Sequence, residues 1–279
     1  MISESAVRRS APRLRPYVGW YTGYRLVGGT PARHRGLPSP HLTMIVTLDD
    51  PLIMVEHPDP ATPPGAYDTL VGGLHTTPAM IAHDGRQSGI QLSLSPLGAR
   101  ALLGLPAGEL ASVDVDGAAL LGSFAEEIRE RMVMQPSWAA RFDVLDELLW
   151  RRVNPGVLPR PEVVEAWRRL TDSGGAVPIA ALADDLGWSS RYLGRQFATE
   201  VGLSPKVAGR VVRFDRARRG LQLDTAQGGR RSLADLAVAS GYYDQAHMAR
   251  EFAEFAGCAP SEFRFIQADE VLALAESDA

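Results

Sequence analysis

Asp244, His247 and Glu251 stand at i, i+3 and i+7 in the run "SGYYDQAHMAREF". At about 100° per residue, a helix brings these two carboxylates and an imidazole to roughly one face. Such a set suits proton transfer, or the gathering of ligands around a metal ion. The neighbouring residues decide between chemistry and architecture. Met248, Phe252 and Phe255 form an apolar stripe on the same segment, and the three polar residues lie beside that stripe. A metal there would need an open, wet position next to buried side chains, so no metal site is expected. Asp244, just ahead of the helix, has the position of an N-cap.

Composition narrows the function classes. The chain has 279 residues, 45% of them hydrophobic, with a mean hydropathy of −0.09. That is enough for two modules with separate cores. No run approaches the roughly 18 apolar residues of a membrane span. The start, "MISESAVRRSAPRLRP", has no secretory apolar region, so a cytoplasmic protein without membrane contact is expected. Cys258 is the single cysteine, which rules out an intrachain disulfide and any cysteine-rich zinc site. A hydrolase would need a nucleophile with an organised base, and neither a Gly-x-Ser-x-Gly elbow nor a clustered acid pair is present. No catalytic residue, no cofactor and no enzymatic activity are expected.

The net charge of −4 argues against a uniformly basic nucleic-acid binder, but the charge is uneven. Arg160 to Arg264 holds 15 basic against 13 acidic residues, leaving 14 against 20 elsewhere. Lys206 is the only lysine, and arginine forks well onto phosphate and guanine. A GC-rich coding bias would produce the same excess.

Tyr17 to Leu94 reads as short alternating strands broken by turn residues. "HLTMIVTL" puts Leu42, Met44, Val46 and Leu48 on one face, and "GIQLSL" does the same with Ile90, Leu92 and Leu94. The period then lengthens, and helices are expected at 96–104, 121–134 and 137–153. The stripe Trp138, Phe142, Leu145 and Leu149 either covers the strands or pairs two subunits. "NPGVLPRP", residues 154–161, reads as a linker. The expected organisation is an arm at 1–16, a β-rich sensor or dimerisation domain at 17–153, the linker, a DNA-binding domain at 162–266 and a tail at 267–279. The fold class is two-domain α+β: a cupin-like β-barrel or sandwich with flanking helices, then an all-α double helix-turn-helix.

An internal repeat carries the second half. "ALADDLGWSSRYLGRQFATEVGLSP" and "DLAVASGYYDQAHMAREFAEFAGCAP" match at an offset of 54 up to Gly187 and Gly241, and of 55 from Arg195 and Arg250 onward. Each unit is a short apolar helix, a glycine, an aromatic residue and a second helix, the grammar of a helix-turn-helix, expected at 180–201 and 233–256. Ser189 and Asp244 are the expected caps. On the first second-helix, Leu193 and Phe197 mark the buried side, while Arg191, Gly194, Arg195 and Ala198 project opposite. Ser190 stands at its start. On the second, Ala246, Ala249 and Arg250 project outward, with Gln245 and His247 on the shoulders. Arginine pairs with guanine, glutamine with adenine, and alanine methyls meet thymine methyls. The connector "PKVAGRVVRFDRARRGLQL" would span about 25–30 Å as a helix, near the ~34 Å of one DNA turn. Its Lys206, Arg210, Arg213, Arg216, Arg218 and Arg219 are phosphate-contact candidates or solvated charges, some of them paired with Asp215.

The stretch "SLADLAVASGYYDQAHMAREFAEFAGCAPSEFR", Ser232 to Arg264, resembles the signature of the AraC/XylS family of transcription regulators: a glycine-aromatic turn, an Asp-Gln-x-His helix start, Arg-x-Phe and Gly-x-x-Pro. The resemblance covers about the last 105 residues. It implies that Arg191, Arg195, Gln245, Ala246, His247, Ala249 and Arg250 face double-stranded DNA. It also implies a homodimer, and RNA polymerase as a further candidate partner. The first half is similar to the variable sensor domains that precede this module, often cupin-like barrels with dimerising helices. No His-x-His metal motif is present, because His34, His41, His57, His75 and His83 are scattered. Trp20, Tyr21 and Tyr24, with His41, are the candidates for a small-molecule effector site, the aromatics alternatively filling a core. The leading expectation is a sequence-specific, effector-responsive, one-component regulator. The alternative is a DNA-binding regulator whose first domain only oligomerises or docks a protein.

Overall fold

Strands β4 (Leu42–Thr47) and β9 (Arg86–Leu94) pair antiparallel with Leu42 opposite Leu94, Met44 opposite Leu92 and Val46 opposite Ile90. Their apolar alternation is therefore spent on one continuous face. In this computed structural model, which describes residues 1–266, that face looks outward to helices. The expected tail at 267–279 lies outside the described residues.

The remaining strands are β1 (Ile2–Arg9), β2 (Val18–Val27), β3 (Ala32–Gly36), β5 (Leu52–Glu56), β6 (Gly65–Tyr67), β7 (Thr69–Gly72), β8 (Ala79–His83) and β10 (Asp114–Asp116). They form a six-stranded sheet, ordered β1-β2-β9-β4-β7-β10, and a four-stranded sheet, β3-β8-β5-β6, all antiparallel. Between the sheets a small separate cluster joins Ile45 and Leu70 of one to Leu52, Met54, Ala79 and Ile81 of the other.

The segment expected as an arm is, in its first half, strand β1. It pairs with β2 in unbroken register from Ile2 opposite Val27 to Arg9 opposite Trp20. "ISESAVRR" has no Pro or Gly to interrupt a ladder, and Arg8 pins its end to Asp143 and Asp146.

Four helices cover the outer face of the large sheet: α1 (Ala99–Leu103), α2 (Gly117–Leu121), α3 (Ser123–Val133) and α4 (Trp138–Arg152). Ser137 caps α4, its Oγ accepting from Ala140 N. Phe142, Leu145, Leu148 and Leu149 are buried in the main core, so the apolar stripe of α4 is consumed inside the chain. Burying each such side chain contributes about 1.5–3 kcal/mol.

After an irregular stretch come α5 (Pro161–Asp172), α6 (Ile179–Asp185), α7 (Ser190–Val201), α8 (Pro205–Ala226), α9 (Leu233–Ala239), α10 (Gln245–Ala256) and α11 (Pro260–Ile266). The chain is thus a sheet-rich domain followed by a helical one. Phe214 of α8 anchors the second half of the helical domain, with ring centroids 5.0 Å from Phe252 and 5.3 Å from Phe255. None of the helices among the described residues is long and apolar enough to cross a membrane.

The two domains touch. Arg100 of α1 donates from Nε and Nη2 to Glu200 of α7 at 2.8 and 3.0 Å, a forked pair. The 3-10 turn Ala107–Leu110 lies against the end of α7 so closely that a Cβ on Gly108 would be 2.5 Å from Thr199 O.

Candidate nucleic-acid interface and ligand cavity

Both helix-turn-helix units close in the same way. Gly187 and Gly241 take φ of +71° and +85°, the left-handed region open to glycine at little cost. Gly187 N donates to Asp184 O and Trp188 N to Ala183 O; 54 residues on, Gly241 N donates to Val238 O and Tyr242 N to Ala237 O. Each second helix then starts on a side-chain cap: Ser189 Oγ accepts from Tyr192 N at 3.2 Å, and Asp244 Oδ1 from His247 N at 2.7 Å. Leu193, Phe197 and Val201 bury one side of α7, and Met248, Phe252 and Phe255 one side of α10.

The opposite faces are open. Ser190, Arg191 and Arg195 on α7 are exposed and Gly194 is half-buried; Gln245, Ala246 and Arg250 on α10 are exposed and Ala249 is half-buried. The Arg195 guanidinium lies 5.3 Å from the Tyr192 ring centre. His247 is half-buried with its ring edge-on to Tyr242, and its Nε2 is 3.5 Å from Glu251. Glu251 in turn accepts from Arg210 Nε at 2.7 Å. The Asp244, His247 and Glu251 set is therefore a cap and an interhelix ion-pair cluster. Among the described residues no group of three or more His, Cys, Asp or Glu side chains is arranged to hold a metal.

Helix α8 carries the two units on one 22-residue rod, about 33 Å long at 1.5 Å per residue. Several of its phosphate-contact candidates are engaged elsewhere. Arg218 is buried, its Nη2 donating to Asp215 Oδ1 at 2.6 Å and its Nη1 to Gln222. Arg219 Nε pairs with Asp215 Oδ2 at 2.8 Å. Arg210 bridges to Glu251 and Glu254, and Arg213 Nη1 donates to Gly175 O. Partners within the helical domain thus hold these four guanidinium groups, Arg218 buried and the other three half-buried. Lys206 and Arg216 remain exposed.

Sequence reasoning missed Tyr243, which is 89% exposed. It is the extra residue that shifts the repeat offset from 54 to 55, ahead of the Asp244 cap. That shift was the available signal.

A second site lies between the two sheets, a cavity of about 120 Å³. Its walls are Ile45, Leu52, Met54, Leu70 and Ile81, with Thr43, Gln91, His34, His75 and Asp114 adding polar atoms. Arg218 reaches it from the helical domain. Of the four effector candidates, Tyr24 alone lines it. Tyr21 faces the other side of β2, stacked on Phe142 with its Oη donating to Asp146 at 2.9 Å. Trp20 packs under Arg9, 4.4 Å from ring centre to guanidinium, and His41 is tied into a local turn by Ser39. Alternation from a single aromatic cluster sends neighbours to opposite faces, which the aromatic count alone does not reveal. Asp114 Oδ2 and His57 Nδ1 are 2.7 Å apart, both side chains buried.

A double helix-turn-helix on a shared rod, with open arginine-bearing faces and a sheet domain docked behind it, defines a DNA-binding transcription regulator. A family model described as a helix-turn-helix domain matches residues 182–265, and one described as a domain of unknown function (DUF6597) matches residues 8–116. No curated protein matches the sequence. Three solved structures share the fold. Apo ToxT, in a variant form, from Vibrio cholerae strain SCE256 is 11% identical with TM-score 0.51, over 92% of this chain and 99% of that one. Wild-type ToxT of that strain bound to an unsaturated fatty acid is also 11% identical at 0.51, over 92% and 97%. ToxT from Vibrio cholerae O395, bound to (E)-4-(8-methylnaphthalen-1-yl)but-3-enoic acid, is 12% identical at 0.50, over 95% and 99%. Residues 182–265 thus form an AraC-type helix-turn-helix domain, behind a first domain of a type whose function is unknown.

Proposed function

We propose that the chain is a one-component regulator that reads a specific DNA sequence through α7 and α10 and changes its activity when a small molecule fills the cavity between the sheets. The observation that carries the DNA half is the exposure of Arg191, Arg195, Gln245 and Arg250 on two capped helices mounted on one rod. A helix of this kind enters the major groove with its first turns against base edges. Lys206 and Arg216 supply charge beside it for phosphate.

The effector half is supported by the cavity itself. A pocket with apolar walls and a few convergent polar groups is the usual form of a small-molecule site. ToxT, which shares the fold, has been solved with a fatty acid bound. Arg218 connects the cavity to the rod that carries both reading helices, so occupancy has a direct route to the DNA-binding domain.

Selection from random oligonucleotides by the full chain at moderate salt tests the DNA reading. Enrichment of one motif is expected, and an unenriched pool would sink it. The alternative of a purely oligomerising first domain gains ground if no metabolite raises the melting temperature, since any ligand that binds only the native state must do so.

A further inference from the structure

Among the described residues, strand β1 is the longest sheet edge. It stands at the end of the six-stranded order, and no strand of the described chain pairs with its outer side. The other sheet ends are short: β10 and β6 have three residues each and β3 has five, against eight in β1. A regular edge of this length, without proline, glycine or bulge, is a template for another strand.

The register with β2 decides which backbone groups are open. Ser10 N donates to Gly19 O, in line with the pairing of Arg9 and Trp20, so the even-numbered residues of β1 bond to β2. The amides and carbonyls of Ser3, Ser5 and Val7 therefore point away from the sheet, and these three residues are exposed. Alternation puts the side chains of Glu4, Ala6 and Arg8 on the face toward α4. There Ala6 packs against the main core, and Asp143 and Asp146 hold Arg8 in place.

The edge is complementary to itself. Two copies of β1 set antiparallel about a two-fold axis through Ala6 place Ser5 of each opposite Val7 of the other, open amides facing open carbonyls. Glu4 of each then stands opposite Arg8 of the other, at non-hydrogen-bonded positions where side chains come closest. Sliding the copies by two residues sets Glu4 against Ala6 or Ser10, and sliding them by four sets Glu4 against Glu4 or Arg8 against Arg8. The charges thus select one register. The apolar stripe of α4, the other surface that could pair two chains, is already spent inside the chain.

We propose that two copies of this chain join edge to edge through β1, their six-stranded sheets becoming one. A single strand pair is a small interface, so dimer and monomer should exchange on dilution.

Sedimentation velocity of the full chain without DNA, from about 1 to about 100 µM, reads the association, and dimer is expected at the upper end. Ser5→Pro removes an open amide and leaves the bonds to β2 untouched, while Glu4→Arg turns the pair with Arg8 into a repulsion. Each should weaken the dimer at least ~5-fold. Cross-linking reads the register. Ala6→Cys stands beside its own copy across the axis, whereas Ser3→Cys lies about 20 Å from its copy, at ~3.4 Å per residue. Cys258, the single native cysteine, is buried. Mild oxidation should trap a covalent dimer with Ala6→Cys and not with Ser3→Cys. Melting curves verify that the variants fold, and the cross-link decides without the proline. A chain that stays monomeric throughout overturns the proposal and leaves β1 to a strand of another protein. A dimer that oxidation does not trap at Ala6→Cys overturns it as well, as does one that a folded Ser5→Pro variant forms undiminished.

Discussion

Arg195 and Arg250 project from the open faces of α7 and α10, and neither is buried against a neighbouring helix. Replacing either with alanine is expected to cost about 1–3 kcal/mol on the selected DNA and to relax preference at particular base pairs. Competition binding against single-base variants of the motif measures this; an even loss across all variants would reassign the side chain to phosphate. Arg218→Ala should behave differently. It removes one of the two arginine partners of the buried Asp215 carboxylate, so a loss of about 1–3 kcal/mol in urea unfolding is expected, with the DNA motif unchanged. His34 supplies a pH signature. Its folded pKa lies near 4, below the ordinary 6.5, so the unfolded chain binds the extra proton first and stability falls as pH drops from about 6.5 toward 4. Roughly 3 kcal/mol is at stake, and His34→Gln should flatten that part of the stability profile. At this scale the sequence was readable where a rule is local, as with Asp244 capping α10. It was not readable for Arg218, because whether an arginine is buried depends on which domain covers it.

Among the elements, the caps are the most direct handle. Asp244→Ala leaves His247 N without its acceptor and should cost about 1 kcal/mol, seen as a lower thermal midpoint, while Asp244→Asn should keep most of it. The helix-turn-helix units were legible because each rests on short-range chemistry, a left-handed glycine and a cap, written twice at a fixed offset. Strands β4 and β9 were legible as half-buried strands, but not the direction of their apolar face. Leu42, Met44 and Val46 face α3 and α4, and the cavity is left to Thr43, Ile45 and Gln91 on the reverse. Strand β1 escaped notice because Ser and Glu at its alternate positions carry no apolar pattern, and an edge strand is defined by the neighbour it joins.

The whole molecule depends on how the sheet domain seats against the helical one. Gly108→Val would push a branched side chain into Thr199 O and should loosen that contact without touching the open faces of α7 and α10. Faster cleavage within 154–160 by limited proteolysis is the expected readout, and unchanged protection would mean that the Arg100 to Glu200 pair holds the domains together without the turn. The seating could not be read from sequence, since a small residue in "LPAGEL" announces nothing about the helix 90 residues away. The cavity's lining belongs to a cluster separate from the main core. Changes at Thr43, Gln91 or His34 thus leave the strand-to-helix packing intact, and the pocket can drift toward a new chemical cue over generations while the frame that carries the DNA-reading helices is inherited unaltered.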